Sequence, residues 1–218
     1  MRGIENSVAK YFGEYFIHAA LQQGFMPHTF PLDGQDRDVG ADYLFSDSTN
    51  FALIEFKSYE DDIASEKKKP RRRTLCQLLP ITIGMQNLHD RCHFIGWLGG
   101  NGTAIFNIYR KEVCNRRVFD DHNLPAGALV SSRQPAKDFT TGFLEGHNSL
   151  DFGEFETYLE WLMKDTSGSD SGSDSGSISV VAMTDENECI LKEFNSLKEI
   201  HQWMQQKLEM KMGGPAPN

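Results

Sequence analysis

The chain has 218 residues and a formal net charge of −9, from 22 Lys and Arg against 31 Asp and Glu. The length suits one domain with a small addition, and 39% hydrophobic residues are enough for a packed core. The negative charge argues against broad electrostatic binding of nucleic acid, and no apolar run reaches membrane-spanning length. We therefore expect a globular protein with no membrane contact, in which local basic clusters decide where phosphates bind.

The N-terminal segment and the cysteines bear on the compartment. The opening MRGIENSVAKYF has no apolar stretch followed by a cleavage site, so it does not predict a secretory signal. Cys76, Cys92, Cys114 and Cys189 lack metal-type spacing and are typical of reduced thiols. The seven histidines are dispersed along the chain, and no zinc site is predicted. These features favour a cytoplasmic protein.

The first elements are a helix and a strand. Apolar residues recur at steps of three and four over residues 5–23, and Gly24 ends this predicted helix. An irregular strand is predicted over residues 25–32, and an acidic loop follows it.

Two further strands surround a polar turn. One covers residues 40–45 and has Asp42 near its start; the other is FALIEFKS, residues 51–58. Glu55 and Lys57 are two residues apart, so on a strand they point to the same face. Pairing of the two strands would bring Asp42 within reach of Glu55. Two carboxylates beside a lysine favour a Mg²⁺ site for phosphodiester chemistry.

Asp42 followed by Glu55-Phe56-Lys57 resembles the signature of the PD-(D/E)XK nuclease superfamily. The resemblance extends from the first helix to the end of the second strand, and Ala41 stands where the signature proline is found. It implies an α/β, restriction-endonuclease-like fold, in which helices flank a mixed central sheet. It also implies Mg²⁺-dependent hydrolysis, with Mn²⁺ as a substitute, of phosphodiester bonds in DNA.

The resemblance also implies roles for five residues. Asp42 and Glu55 would hold the metal ion together with the carbonyl of Phe56. Lys57 would orient the attacking water and stabilise the transition state. Glu14 on the first helix would hold a second ion or a metal-bound water.

Each of these residues has a simpler interpretation as well. Glu55 and Lys57 could form a salt bridge at a strand end, with Asp42 an ordinary acid beside a turn. Glu14 could be a boundary glutamate in water, and Glu5 is the second choice on the same helix. A non-catalytic module of the same fold that binds nucleic acid or protein is the main alternative, and cleavage of RNA is another.

A dense basic block follows the second of these strands. It consists of Lys67, Lys68, Lys69, Arg71, Arg72 and Arg73. Its position favours contact with the phosphate backbone beside the cut site. A nuclear localisation signal, if the source is eukaryotic, and a solvated loop are the other interpretations.

Two accessory residues are candidates. Gln77 lies on a helix predicted over residues 74–90, which Pro80 and Gly84 should kink or split. Asp38 lies in the acidic loop. The simpler interpretation of Gln77 is an exposed position on the helix, and that of Asp38 is a solvated loop.

The rest of the chain completes the predicted organisation. Strands are expected over 93–98 and 103–109, loops over 111–150, a helix over 151–164, a hairpin over 178–183 and 189–194, and a helix from 197 to 210. The predicted organisation is a nuclease core (1–165), a flexible Gly/Ser/Asp linker (166–177), a ββα extension (178–212) and a disordered tail (213–218). The extension should dock on the core or on a protein partner, because it is too small to fold alone. Endonuclease action is preferred over exonuclease action, and cutting both strands would favour a homodimer.

Overall fold

The structure is a computed structural model, which describes residues 2–32, 41–165, 178–183, 189–194 and 197–212. These residues form a mixed α/β fold: helices flank an open, mixed sheet of seven strands, and two more strands pair as a separate hairpin. This agrees with the predicted α/β class.

Most strands of the main sheet lie side by side in chain order. The main sheet consists of β1 (His28–Pro31), β2 (Tyr43–Ser46), β3 (Asn50–Lys57), β4 (His93–Leu98), β5 (Ala104–Ile108), β6 (Gln134–Pro135) and β7 (Leu150–Asp151). The separate hairpin consists of β8 (Ile178–Met183) and β9 (Cys189–Phe194). Strands β1 to β6 follow one another, while β7 pairs with the start of β3. All pairs are antiparallel except β3 and β4, where Lys57 lies opposite Trp97. A parallel pair needs a crossover connection, and the helices between β3 and β4 provide it.

Seven α-helices and three 3₁₀ segments lie in the described part of the chain. The helices are α1 (Arg2–Gln22), α2 (Pro70–Leu78), α3 (Ile83–Cys92), α4 (Tyr109–Val113), α5 (Ala136–Leu144), α6 (Phe152–Asp165) and α7 (Leu197–Met212). The 3₁₀ segments are Glu60–Lys68, Leu79–Ile81 and Val130–Ser132. None of these helices combines the length and the apolar character needed to cross a bilayer.

Side chains alternate along β3 and separate two cores. Ile54 and Phe56 pack against α1 and α5 on one face of the sheet. The odd-numbered residues point to the other face, which packs against α6 and α7. Glu55 and Lys57 belong to this second series and lie beneath the 3₁₀ segment Glu60–Lys68 and α2. The strand therefore carries its two charged side chains into an interior layer.

The segment after β3 is more helical than the sequence predicts. The pattern predicts a polar stretch up to Arg73 and a helix from Thr74, but α2 already begins at Pro70. Proline is favoured in the first turn of a helix because its missing N–H has no intrahelical acceptor there. The buried charged side chains Glu66 and Arg72 interrupt the apolar pattern, which is why periodicity alone misses this segment. The predicted break at Pro80 is present, since α2 ends before it.

The prediction of loops over residues 111–150 is also corrected. The structure has α5 here, and its Phe139 and Phe143 are fully buried in the core beneath α1. The helix is only nine residues long, so its apolar face spans too few turns to give a clear periodic pattern.

The prediction that all cysteines are reduced is wrong for two of them. Cys76 on α2 and Cys114 after α4 form a disulfide, and their Cα atoms are 5.2 Å apart. Cys92 is a free, buried thiol. The two partners lie far apart in the sequence, and only the packing of α2 against the β5–α4 region brings them together.

Helix α7 packs on the main core. Ile200 and Met204 are fully buried in the cluster beneath it, and the His201 ring stacks on Phe152 with centroids 3.9 Å apart. The expected hairpin before this helix is present as β8 and β9. The predicted linker (166–177) and tail (213–218) lie outside the described residues.

Candidate functional site

The structure brings Asp42 and Glu55 together at the open end of the β2–β3 hairpin. Tyr43 pairs with Ile54, so Asp42 lies opposite Glu55. The Asp42 N–H donates to the Ile54 carbonyl at 3.1 Å, and Asp42 Oδ2 accepts the Phe56 N–H at 2.7 Å. The Asp42 carboxylate is thus held at a backbone amide next to Glu55.

Lys57 also joins this site, and it is buried with Glu55. The Glu55 side chain is 0% exposed and that of Lys57 is 4% exposed, and the ammonium forms an ion pair with Glu55 Oε1. A buried ion pair is costly unless further polar groups complete its coordination. The segment that follows β3 supplies these groups.

Five residues form what we call the ion cluster: Glu55, Lys57, Glu66, Lys69 and Arg72. Lys57 Nζ lies 2.8 Å from Glu66 Oε1. Lys69 Nζ lies 2.5 Å from Glu55 Oε1 and 3.1 Å from Glu66 Oε1. Arg72 Nε lies 3.3 Å from Glu66 Oε2. Two carboxylates thus bind three cationic groups, and the nearby Asp42 balances the charge.

Glu66 continues the network away from the sheet end. The Tyr109 hydroxyl donates to Glu66 Oε2 at 2.6 Å, and the Arg72 guanidinium lies over the Tyr109 ring, 5.8 Å from its centroid. Glu66 is therefore held by partners from β3, α2 and α4. This makes it the central carboxylate of the cluster.

The electrostatic environment shifts the pKa values of the two buried glutamates in opposite directions. Burial, together with the charges of Glu66 and Asp42, raises the pKa of Glu55 to about 7, although Lys57 and Lys69 oppose this shift. Burial would also raise the pKa of Glu66, but Lys57, Lys69 and Arg72 outweigh it and lower that pKa. Glu66 is thus the carboxylate that ionises more readily, and Glu55 is the one that is harder to ionise.

The pKa values of Asp42 and Lys57 are both raised, but for different reasons. Burial raises the pKa of Asp42 against the effect of the hydrogen bond from Phe56. Burial would lower the pKa of Lys57, but the carboxylates of Glu55 and Glu66 outweigh it and raise that pKa. Lys57 therefore stays charged throughout the physiological pH range.

Two buried oxygens in the cluster, Glu55 Oε2 and Glu66 Oε1, lack a hydrogen bond in the described part of the chain, and of these Glu66 Oε1 lies within ion-pair distance of Lys57 and Lys69. Within the described residues, Glu55 Oε2 is buried without a donor, and the Arg72 guanidinium is 3.9 Å away. An orphaned carboxylate oxygen in the interior is unusual and costly. It is a hard oxygen donor that could bind a cation.

The glutamate of α1 at this site is Glu5, not Glu14. Glu14 is exposed and lies 3.9 Å from Lys10 in a surface ion pair. Partial burial raises the pKa of Glu5, and the charges that act on Glu5 include those of Lys57 and Asp42. Glu14 lies about two and a half turns further along the helix, on the opposite side. The choice of Glu14 is therefore corrected to Glu5.

The basic block divides between the interior and the surface. Lys69 and Arg72 turn inward to the ion cluster, and Arg72 is only 2% exposed. Arg72 thus cannot contact a phosphate backbone in this arrangement. Lys67, Lys68 and Arg73 are exposed, while Arg71 is half-buried. The prediction of phosphate contact stays open for these four residues.

The two accessory candidates do not join the site. Gln77 is exposed and donates a hydrogen bond to Asp121 Oδ2 at 3.1 Å, which agrees with its simpler interpretation as a surface residue. Asp38 lies outside the described residues. Sequence reasoning missed Glu66, because a glutamate in a polar stretch gives no sign of burial. Its spacing from Ile63 and Lys69 at steps of three is the only available signal.

An open groove of about 720 Å³ lies at the same end of the sheet. Its lining includes Tyr59, Glu60, Trp97 and Gly100. Strands β3 and β4 run parallel and end together, so this groove adjoins the end of β3 that carries Lys57.

Comparisons with models of protein families, with curated proteins and with solved structures yield no significant match. Among the described residues, no three His, Cys, Asp or Glu side chains are gathered as a ready-made metal site. The function is therefore inferred from the geometry of Asp42, Glu5 and the ion cluster.

Proposed function

We propose that the protein is a Mg²⁺-dependent nuclease that hydrolyses phosphodiester bonds, with DNA as the favoured substrate. The observation that carries this proposal is the convergence of Asp42, Glu55 and Lys57 at one end of a hairpin. A carboxylate held at a backbone amide, a second carboxylate and a permanently charged lysine are the groups that such chemistry requires.

The order of elements supports a restriction-endonuclease-like fold within the mixed α/β class. Helix α1 comes first, β2 begins just after Asp42, and β3 ends with Glu55 and Lys57. Helices follow the lysine strand, as the resemblance to PD-(D/E)XK nucleases implies.

The residues present fit a hard divalent cation such as Mg²⁺ or Mn²⁺. Asp42 and Glu55 supply carboxylate oxygens, one of which, Glu55 Oε2, is buried without a hydrogen bond. The carbonyl of Phe56 is the third candidate ligand. When bound, the ion would lower the pKa of a water ligand and neutralise charge on the phosphate.

The chain itself would position the reactants. Lys57 would orient the attacking water and stabilise charge that develops on the phosphate, because its ammonium is fixed by Glu55 and Glu66. Glu5 would hold a second water or ion from helix α1. The exposed Lys67, Lys68 and Arg73 would contact the backbone beside the cut site.

A specific observation favours one alternative, a non-catalytic binding module. The ion cluster satisfies Glu55 and Glu66 with internal cations, so it could serve stability alone. This interpretation does not explain why Glu55 Oε2 is buried without a hydrogen bond. It also does not explain why Asp42 converges on the same point. We therefore favour the nuclease.

Cleavage assays on plasmid DNA, single-stranded DNA and RNA, with Mg²⁺ or Mn²⁺ against EDTA, test the proposal. We expect metal-dependent cutting that falls by at least roughly a hundredfold in Asp42→Asn and Lys57→Ala, as expected when transition-state charge stabilisation is removed. Lys137→Met, at an exposed lysine on α5, is the control and should cut normally. Binding of nucleic acid by folded wild type without cleavage would instead support the binding module.

A further inference from the structure

Two ammonium groups in the ion cluster contact the same pair of carboxylate oxygens. Lys57 and Lys69 both contact Glu55 Oε1 and Glu66 Oε1. Lys57 alone is enough to join these two oxygens. The second ammonium is therefore redundant for holding the carboxylates together.

Lys69 differs from the other two cations of the cluster in its access to solvent. Its side chain is 31% exposed, against 4% for Lys57 and 2% for Arg72. Lys69 lies between the 3₁₀ segment Glu60–Lys68 and α2, where its backbone is extended. Its flexible side chain can leave the cluster for solvent without moving either helical element.

The position that Lys69 Nζ holds suits a divalent cation. It lies within 3.1 Å of one oxygen from each of Glu55 and Glu66. Magnesium binds carboxylate oxygens at about 2.0–2.1 Å and calcium at about 2.3–2.6 Å, so the two carboxylates would move closer together around an ion than around the ammonium. Glu55 Oε2, buried and without a hydrogen bond, provides a further donor beside this position.

We propose that Glu66 is a third carboxylate of the cation site, and that Lys69 occupies the place of a divalent cation until one binds. The choice of Mg²⁺ or Mn²⁺ as the ion rests on the proposed nuclease function. Binding of the ion expels the Lys69 ammonium to solvent, while Lys57 keeps its contacts. The site thus has a built-in competitor that lowers its affinity for the ion.

Equilibrium binding of Mn²⁺ alone, measured by electron paramagnetic resonance without nucleic acid, tests this exchange. Lys69→Met should bind Mn²⁺ roughly tenfold to a hundredfold more tightly than wild type, because the competent state no longer has to displace an ammonium. Lys68→Met, which removes the same charge at an exposed neighbour, should bind like wild type. Adding Glu66→Gln to Lys69→Met should abolish the gain.

A second measurement uses wild-type protein and so does not depend on how a variant folds. Pulsed acetylation followed by mass spectrometry should show Lys69 becoming more reactive as Mn²⁺ saturates the protein, while Lys67 and Lys68 do not change. Unchanged reactivity of Lys69 at saturating Mn²⁺ would overturn the proposal.

The outcomes separate this inference from the nuclease proposal. Equal Mn²⁺ affinity of wild type and Lys69→Met in a protein that cuts DNA would refute the exchange and leave the nuclease intact. Tighter Mn²⁺ binding by Lys69→Met in a protein that cuts no nucleic acid would support the exchange and refute the nuclease. Absence of Mn²⁺ binding to either protein would refute both.

Discussion

Glu5 and Glu14 show how much depends on the position of a single residue along a helix. Both are glutamates on α1, but only Glu5 is half-buried and within the field of Lys57 and Asp42. The N-terminal end of α1, rather than its middle, approaches the open end of the hairpin. We therefore assign the proposed role on this helix to Glu5.

Exchange of each glutamate for glutamine tests this assignment. Glu5→Gln should lower the single-turnover cleavage rate roughly tenfold to a hundredfold, the usual effect of losing a group that supports a metal site. Glu14→Gln should leave the rate unchanged, since that exposed side chain forms a surface ion pair with Lys10. Equal losses in the two variants would contradict the assignment.

At the level of elements, α2 is the helix on which the site depends most. It follows Lys69 directly and carries Arg72, and Cys76 lies one turn beyond Arg72 on the same side. The disulfide from Cys76 to Cys114 ties this helix to the end of α4, the helix whose first residue, Tyr109, reaches Glu66. The covalent bond and the ion cluster thus fix α2 at two successive turns.

Loss of the disulfide should lower the free energy of unfolding. The bond closes a loop with a sequence separation of 38, for which loop entropy gives a contribution of about 4 kcal/mol. Guanidinium denaturation should shift to lower concentrations for the double variant Cys76→Ser/Cys114→Ser, and for wild type with reductant.

The double variant is its own control, because reductant should no longer change its denaturation midpoint. Thiol titration of denatured wild type should yield two fewer thiols before reduction than after it. Equal thiol counts would show that the bond is absent.

The elements also differ in how well the sequence predicts them. The hairpin of β2 and β3 and that of β4 and β5 match their predictions, because alternation and turn residues are local signals. The start of α2 and the whole of α5 do not match. Buried ion pairs interrupt the apolar pattern at the start of α2, and α5 is too short to show a clear apolar pattern.

At the scale of the whole molecule, the C-terminal helix completes the core on the face that holds the ion cluster. Ile200 and Met204 lie in the same hydrophobic cluster as Phe51 and Leu53 of β3. Gln205 of the same helix donates to the Ser48 carbonyl at the β2–β3 turn, at 3.1 Å. Helix α7 therefore supports the hairpin from the end opposite the candidate site.

Truncation of a buried side chain on α7 should destabilise the whole protein. We expect Ile200→Ala to lower the free energy of unfolding by about 2–5 kcal/mol, because it leaves a cavity in the core. Gln202→Ala, at an exposed position of the same helix, should change it by less than about 0.5 kcal/mol. Equal unfolding curves for Ile200→Ala and wild type would mean that α7 does not pack on the core in solution.

The sequence by itself determined the hairpin and the three residues on which the functional proposal rests. Strand periodicity places Glu55 and Lys57 on one face, and the polar turn brings Asp42 opposite them, so local pattern is sufficient. Only the tertiary structure decided which partners these residues have. Glu66, Lys69 and Arg72 meet them because the crossover between β3 and β4 folds back over the sheet, and no local pattern encodes a contact between distant segments.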